Sequence, residues 1–138
     1  MKLPPWDIRE PTPLPERNVL SVKINAENKL MVEGEALRLS DLRERAKEFI
    51  TNPLKLKSLP SSPQKAIISL QNDRSTHYEA YVEVYDQLRA AYNELWNEKA
   101  EQLFGKSYED LSDAQKKEIK NLIPLVISEA EPTDLAMN

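Results

Sequence analysis

The chain has 138 residues, of which 40% are hydrophobic and 30% are charged, and it contains no cysteine. This composition is typical of one folded domain with a tail, and it excludes disulfides and catalysis by a thiol. The formal net charge of −4 excludes an overall basic field that would attract nucleic acid, and no apolar run reaches the roughly 20 residues of a transmembrane helix.

The first segment is rich in proline, with five prolines at positions 4, 5, 11, 13 and 15 among charged residues. Proline has no N–H to donate, so this segment is predicted to form neither a helix nor a sheet ladder. We expect residues 1–17 to be an extended linker, which is either a disordered tail or a tether between a membrane and the folded domain. The segment lacks the apolar stretch of a secretory signal.

The folded domain is predicted to span residues 18–132, followed by a tail at 133–138. Apolar and polar residues alternate over residues 20–26 and again over 30–33, which predicts two strands in a hairpin that ends or bulges at Gly34. A first helix is then predicted, with Ser40 as its N-cap and Asn52 followed by Pro53 as its end. Its apolar face comprises Leu42, Ala46, Phe49 and Ile50.

A short apolar run at residues 65–70 predicts a third strand, in the interior of the sheet. Thr76 and Glu79 form a capping-box pattern, which predicts that a helix begins there and runs to Phe104, before Gly105. Its apolar stripe is predicted to comprise Tyr78, Val82, Tyr85, Leu88, Tyr92, Leu95, Trp96, Lys99 and Leu103. We expect Leu42, Phe49, Ile68, Leu70, Val82 and Tyr85 to form the core.

The predicted long helix has about 29 residues, or about 43 Å, and is longer than one small sheet requires, so its last turns are expected to project or to pack on something additional. Ser112 and Gln115 predict a capped third helix, and Leu125, Val126, Ile127 and Ser128 a last strand after Pro124. The predicted fold class is α+β, a small mixed sheet with helices packed on one face. The order is strand, strand, helix, strand, long helix, helix, strand.

Few residues suggest chemistry of their own. His77 lies near Asp73 and Glu79, but this trio lacks the spacing of a zinc site, and we interpret it as part of a helix surface. Tyrosines 78, 81, 85 and 92 recur at helical spacing, so core packing is favoured over an aromatic binding platform. Two glycines 71 positions apart exclude a glycine-rich phosphate loop. The sequence therefore predicts no catalytic, metal or cofactor site.

Four stretches of the sequence resemble the periplasmic domain of the ExbD/TolR family of biopolymer transport proteins. They are residues 67–74 (IISLQNDR), 76–81 (THYEAY), 90–95 (AAYNEL) and 127–132 (ISEAEP). Relative to ordinary members, residues 96–122 look like a helical insertion. The sequences IISLQNDR and ISEAEP are more similar to ExbD than to TolR.

The resemblance implies a non-enzymatic accessory subunit of a complex that transmits the proton-motive force for transport across the outer membrane. Such a subunit would lie on the periplasmic side of the bacterial inner membrane, form a homodimer and engage a TonB-like protein. Its transmembrane helix, which carries the family's proton-carrying aspartate, would be held by an ExbB-like channel. That helix is absent here, so we expect Met1 to begin a shortened form. The alternative is a TolR-like module that binds peptidoglycan.

Two sets of residues are candidate contacts with a partner or a second copy. Asp73 and Arg74 stand between the third strand and the long helix, where family members place an aspartate; turn formation by Asp73 is the competing interpretation. The last strand, at residues 125–128, is short and is followed by Glu129 and Pro132, which is typical of a sheet edge. Such an edge can pair with its two-fold mate or with an extended peptide, and a proline at Val126 is expected to remove one of its donors.

Overall fold

In the computed structural model of the protein, the structure describes residues 15–129. The described strands are β1 (Val19–Ile24), β2 (Leu30–Val32), β3 (Glu35–Ala36), β4 (Ile67–Asn72) and β5 (Ile127–Glu129). The helices are α1 (Leu39–Thr51), α2 (Tyr78–Phe104) and α3 (Asp113–Leu122). The predicted α+β class is confirmed, and β3 is an additional strand that the sequence pattern did not reveal.

The five strands form one mixed sheet in the order β3-β2-β1-β4-β5. β1 is antiparallel to β2 and parallel to β4, and β4 is parallel to β5. Val22 lies between Leu70 on one side and Val32 on the other, and all three side chains are buried. Because side chains alternate between the faces of a sheet, the buried residues of β1, β2 and β4 share the face that the helices cover.

A tight turn joins β2 to β3. Glu33 and Gly34 both have positive φ angles, 53° and 83°, as expected for the primed turns that match the twist of a hairpin. Gly34 therefore lies in the turn after β2, and the chain returns for two more paired residues, Met31 with Ala36 and Val32 with Glu35.

Helix α1 buries the predicted face, Leu42, Ala46, Phe49 and Ile50. Its predicted start is wrong, because the helix begins at Leu39 and Ser40 makes no cap; Arg38 occupies the N-cap and pairs with Asp41 at 3.0 Å. Asn52 ends the helix as predicted, in the left-handed conformation.

Helix α2 begins without the predicted capping box. His77 occupies the N-cap, and the Thr76 hydroxyl lies 3.3 Å from the carbonyl oxygens of Ile24 and Asn25, so it joins the helix start to the end of β1. The helix spans 27 residues and ends at Gly105, as predicted, with a φ of 66°.

The buried face of α2 is rotated from the predicted stripe. Its buried residues are Val84, Leu88, Ala91, Tyr92, Leu95, Trp96 and Ala100. Val82 and Tyr85 are only partly buried, and Tyr78 and Leu103 are exposed. Two of the buried residues, Ala91 and Ala100, are small, and a stripe defined by large side chains does not include them.

The last turns of α2 pack on the segment that follows. The rings of Trp96 and Tyr108 are stacked at 5.4 Å, and the Trp96 Nε1–H donates to the carbonyl oxygen of Ile123 at 2.8 Å. The predicted capping box of Ser112 and Gln115 opens α3. The additional packing that the length of α2 required is therefore supplied by α3 and its flanking turns.

Ion pairs cross-link α1 and α2. Glu94 accepts from Arg43 at 2.7 Å and from Lys47 at 3.0 Å, and Lys47 also contacts Glu98 at 2.9 Å. The hydrogen bond to Glu98 raises the pKa of Lys47 above its usual range, despite an opposing effect of burial. Burial raises the pKa of Glu94, but the hydrogen bonds and charges of Arg43 and Lys47 outweigh it and leave that pKa lowered.

Within residues 15–129, no helix combines the length and the apolar character needed to cross a membrane.

Candidate partner-binding edge of the sheet

Strand β5 forms one edge of the described sheet. It pairs with β4 alone, with Ile127 opposite Ile68, Ser128 opposite Ser69 and Glu129 opposite Leu70. Three residues make a short edge strand, as the sequence predicted, although the strand begins at Ile127 and leaves Leu125 and Val126 in the approach to it.

The pairing fixes which backbone groups face away from the sheet. Ile68 N–H donates to the Val126 carbonyl at 3.0 Å, so that carbonyl points toward β4. Backbone groups alternate in direction along a strand, and the N–H and C=O of Ile127 therefore point outward. The donor that a proline at Val126 would remove is therefore not the outward one, which belongs to Ile127.

The approach to β5 is anchored to α2. Leu125 and Ile127 are half-buried against the core. The Trp96 Nε1–H donates a hydrogen bond to the carbonyl oxygen of Ile123. Tyr92 is fully buried; burial raises the pKa of its hydroxyl, and the nearby Val126 backbone has a smaller, opposite effect. These contacts join the approach to β5 to the core and to α2.

One tyrosine of α2 contacts the edge strand and stacks on a second tyrosine of the same helix. The Tyr81 hydroxyl donates to the Glu129 carboxylate, and the rings of Tyr81 and Tyr85 are stacked with centroids 6.4 Å apart. Both are half-buried, and Tyr78 is 78% exposed, so the prediction that the tyrosines are core residues holds for Tyr92 and is wrong for Tyr78. The pair at 81 and 85 offers aromatic surface beside an open strand.

Asp73 builds the turn between β4 and α2. Its side chain is buried, with 4% of its surface exposed, and its Oδ1 accepts from the Ser75 N–H at 2.9 Å and from the Ser75 hydroxyl at 2.6 Å. Its own N–H donates to the carbonyl of Ile24. The interpretation of Asp73 as turn chemistry is confirmed, and Arg74 is the exposed member of the pair.

Both predicted sets of contact residues adjoin strand β4. β4 and β5 are parallel, and Asp73 and Arg74 follow the carboxyl end of β4, the end toward which β5 also runs. Asp73 is hydrogen-bonded to β1, on the side of β4 opposite to β5.

His77 is exposed, and its backbone N–H donates to the Asn28 side chain at 2.7 Å, which supports its interpretation as part of a helix surface. Across the described part of the chain, no three acidic or histidine side chains are grouped closely enough to hold a metal ion.

Sequence reasoning missed the contact of Tyr81 with Glu129. The sequence gives little indication of this contact, because the two residues are 48 positions apart. Their contact can be predicted only once the packing of the helix on the strand is known.

Comparison with known proteins gives one family. A model of the family described as "Biopolymer transport protein ExbD/TolR" matches residues 1–95. The match includes β1 to β4, α1 and most of α2, and it ends before Trp96. None of the curated proteins matches the chain.

Proposed function

The chain belongs to the ExbD/TolR family of biopolymer transport proteins, and we propose that its folded domain is the partner-binding, non-enzymatic part of an ExbD-like subunit. In this proposal the subunit works in a proton-motive-force-driven complex of the TonB–ExbB–ExbD type. The domain lies on the periplasmic side of the inner membrane, and an ExbB-like channel holds the membrane helix that precedes it in such subunits.

The observation that supports this proposal is that β5 lies at the edge of the sheet formed by the described strands and pairs there with β4 only. The outward N–H and C=O of Ile127 are one donor and one acceptor in strand geometry, ready to pair with an added strand. Main-chain pairing supplies affinity in this mode of recognition, and side chains on alternate positions supply specificity.

The surroundings of the edge favour an extended peptide with an apolar or aromatic side chain. An added strand beside β5 would place alternate side chains on the helix-covered face, near Tyr81 and Tyr85. Aromatic surfaces of this kind contribute contact area at small cost in conformational entropy. We propose that a TonB-like protein supplies this strand.

The same edge can also pair with its two-fold mate, because identical edges are self-complementary under a two-fold axis. Self-association and peptide binding then compete for the Ile127 backbone. The proposal is therefore a weak homodimer that an extended partner peptide displaces or remodels.

A test compares two substitutions at one residue. Ile127→Pro removes the outward donor, and Ile127→Ala shortens the side chain further but keeps that donor. Sedimentation equilibrium over a concentration series would measure self-association. Fluorescence anisotropy with labelled synthetic peptides that tile the extended region of a TonB-like protein would measure binding.

We expect Ile127→Pro to weaken both interactions and Ile127→Ala to retain them. If both variants behave like the parent chain, the edge-strand mechanism is wrong and the segment after Trp96 becomes the leading interface. Sedimentation with purified sacculi separates the TolR-like alternative, since retention on sacculi without peptide binding would replace the ExbD-like proposal.

A further inference from the structure

The loop between α1 and β4 carries an exposed apolar and basic surface. Residues 53–58 are all exposed, and within them Leu54 and Leu56 alternate with Lys55 and Lys57. Leu54 is 77% exposed and Leu56 is 46% exposed, which places them among the large apolar side chains that the described part of the chain leaves open to solvent. We call residues 53–59 the Leu–Lys loop.

The exposure of these leucines is built into the fold. Asn52 is buried at the base of the loop; its side-chain amide donates to the carbonyls of Leu56 at 2.9 Å and Pro60 at 2.8 Å, and its Oδ1 accepts from the Leu56 N–H at 2.8 Å. Two consecutive turns, closed by Lys55 N–H to Asn52 and by Leu59 N–H to Leu56, shape the rest of the loop. These bonds define the backbone path of the loop and leave both leucine side chains exposed.

The loop lies at the end of the domain where the N-terminal segment enters. Arg17, two residues before β1, donates from its Nε to the carbonyl of Leu59 at 2.8 Å. Val19 and Leu20, the first residues of β1, share a cleft of about 510 Å³ with Leu56 and Leu59. Strands β1, β4 and β5 all run away from this end, because they are parallel.

The charges divide the surface into two parts. Acidic side chains lie in the clefts behind the loop: Glu16, Glu33 and Glu48 line the larger cleft together with Arg45, and Glu48 also lines a cleft of about 300 Å³ beside Leu54. Lys55 and Lys57 line neither cleft. The carboxylates therefore lie in clefts that Leu54 and Leu56 also line, and the two lysines lie outside these clefts.

We propose that the Leu–Lys loop docks on the surface of a bilayer that contains anionic phospholipid. Leu54 and Leu56 enter the headgroup boundary, and Lys55 and Lys57 meet the headgroup phosphates, in the way that apolar and basic residues combine in interfacial binding. The inference rests on the proposed function, in which a membrane helix held by an ExbB-like channel precedes the domain.

Two leucines and two lysines bind a membrane weakly on their own. A tether keeps the loop near the bilayer and raises its effective concentration, so a weak contact becomes populated. Docking in this orientation directs the carboxyl ends of β1, β4 and β5 away from the membrane.

The absence of cysteine from the chain makes a site-specific test direct. Leu54→Cys carries an environment-sensitive fluorophore, and Leu103→Cys is the matched control, since Leu103 is 47% exposed in the last turn of α2. Each chain bears an added N-terminal polyleucine membrane helix and is reconstituted into vesicles of phosphatidylethanolamine and phosphatidylglycerol, or of phosphatidylcholine alone. Circular dichroism confirms that the variants are folded.

We expect a blue shift of the fluorophore at position 54, quenching by spin-labelled lipid, and no such response at position 103. Lys55→Glu with Lys57→Glu should abolish the shift, and pure phosphatidylcholine should diminish it. The inference is overturned if position 54 shows no shift, if position 103 shifts equally, or if the response is the same in both lipids. Ile127→Pro should leave the shift intact, so a failure of the edge-strand proposal is distinguishable from a failure of membrane docking.

Discussion

Asn52 combines two roles that few residues can fill. It ends α1 with a φ of 45°, a conformation that asparagine tolerates better than most residues. Its side chain also satisfies two backbone groups of Leu56, in the Leu–Lys loop, and the carbonyl of Pro60 just after it. Only 2% of the surface of Asn52 is exposed, so water does not replace those hydrogen bonds. Its contribution to the free energy of unfolding is therefore expected to be large for a polar residue.

We predict that Asn52→Ala lowers the free energy of unfolding by about 2–4 kcal/mol, from buried groups left unsatisfied and from the left-handed backbone. Urea denaturation measures the loss. Asn52→Gly is the control, because glycine adopts the backbone conformation freely and loses only the side-chain bonds; it should cost less than alanine. Equal stability of all three chains would mean that water enters the loop base.

Glu94 gives a prediction of pH dependence. Its pKa is lowered in the folded state, so it stabilises the fold above the unfolded-state pKa of about 4.5, and this contribution is lost as the pH falls through the folded-state pKa. We expect Glu94→Gln to be less stable than the parent chain at pH 7 and to lose less stability between pH 7 and pH 3. Urea denaturation at a series of pH values tests this.

The matched control for that series is Glu83→Gln, an exposed carboxylate earlier in the same helix. It should follow the parent curve. If Glu94→Gln also follows the parent curve, the ion pairs between α1 and α2 contribute nothing measurable, which is the usual result for exposed pairs.

At the scale of the elements, Gly105 sets the end of α2. A Cβ atom added there would meet nothing within 4 Å, so the cost of a substitution is the cost of the positive φ alone. We predict that Gly105→Ala lowers the free energy of unfolding by about 1 kcal/mol and that Gly105→Asn lowers it by less. A neutral Gly105→Ala in thermal denaturation would show that the helix end relaxes.

Strand β4 is an interior strand, paired on both sides, and Leu70 is fully buried on its helix-covered face. Leu70→Ala is expected to cost about 2–5 kcal/mol of stability, the range for a deleted core leucine. Leu103→Ala, at an exposed position, should change stability by less than about 0.5 kcal/mol in the same urea experiment. A loss below that value at Leu70 would show that β4 is not central to the core.

The elements that the sequence predicted well are those that local patterns specify. The face of α1, the strand β4, the stop at Gly105 and the capping box at Ser112 depend on residues within a few positions of each other. The errors arise where tertiary contacts override a local pattern. The Thr76 hydroxyl lies against β1 carbonyls and does not cap α2, and β3 is too short to leave a periodic signal.

The same distinction applies to the candidate site. Position and length made residues 125–128 recognisable as an edge strand, but the direction of each amide depends on the register with β4, which a single sequence does not contain. Ile127 could therefore be identified as the outward-facing residue only after its pairing with Ile68 was known.

For the molecule as a whole, the N-terminal boundary of the stable unit is testable. Arg17 was assigned to the linker, yet it donates to Leu59 and a 3₁₀ turn at Glu16–Asn18 precedes β1. We predict that a chain beginning at Asn18 melts about 2–5 °C below one beginning at Pro15, the shift expected for a loss near 1 kcal/mol. Scanning calorimetry measures the difference.

The control for that comparison is Arg17→Ala in the full chain, which should reproduce most of the decrease in melting temperature. If the two shortened chains melt together, Arg17 adds nothing to the domain, and the linker extends through residue 17.

The parallel pairing of the sheet also determines how the chain can fold. Val19 pairs with Ile67, and Ile68 pairs with Ile127, so each partner of β4 is distant in sequence and each pairing closes a long loop. Folds dominated by such distant pairings reach the native state slowly, on the order of milliseconds to seconds. Until β5 pairs with it, β4 has one unpaired side, and an unpaired strand exposed during synthesis is prone to aggregation.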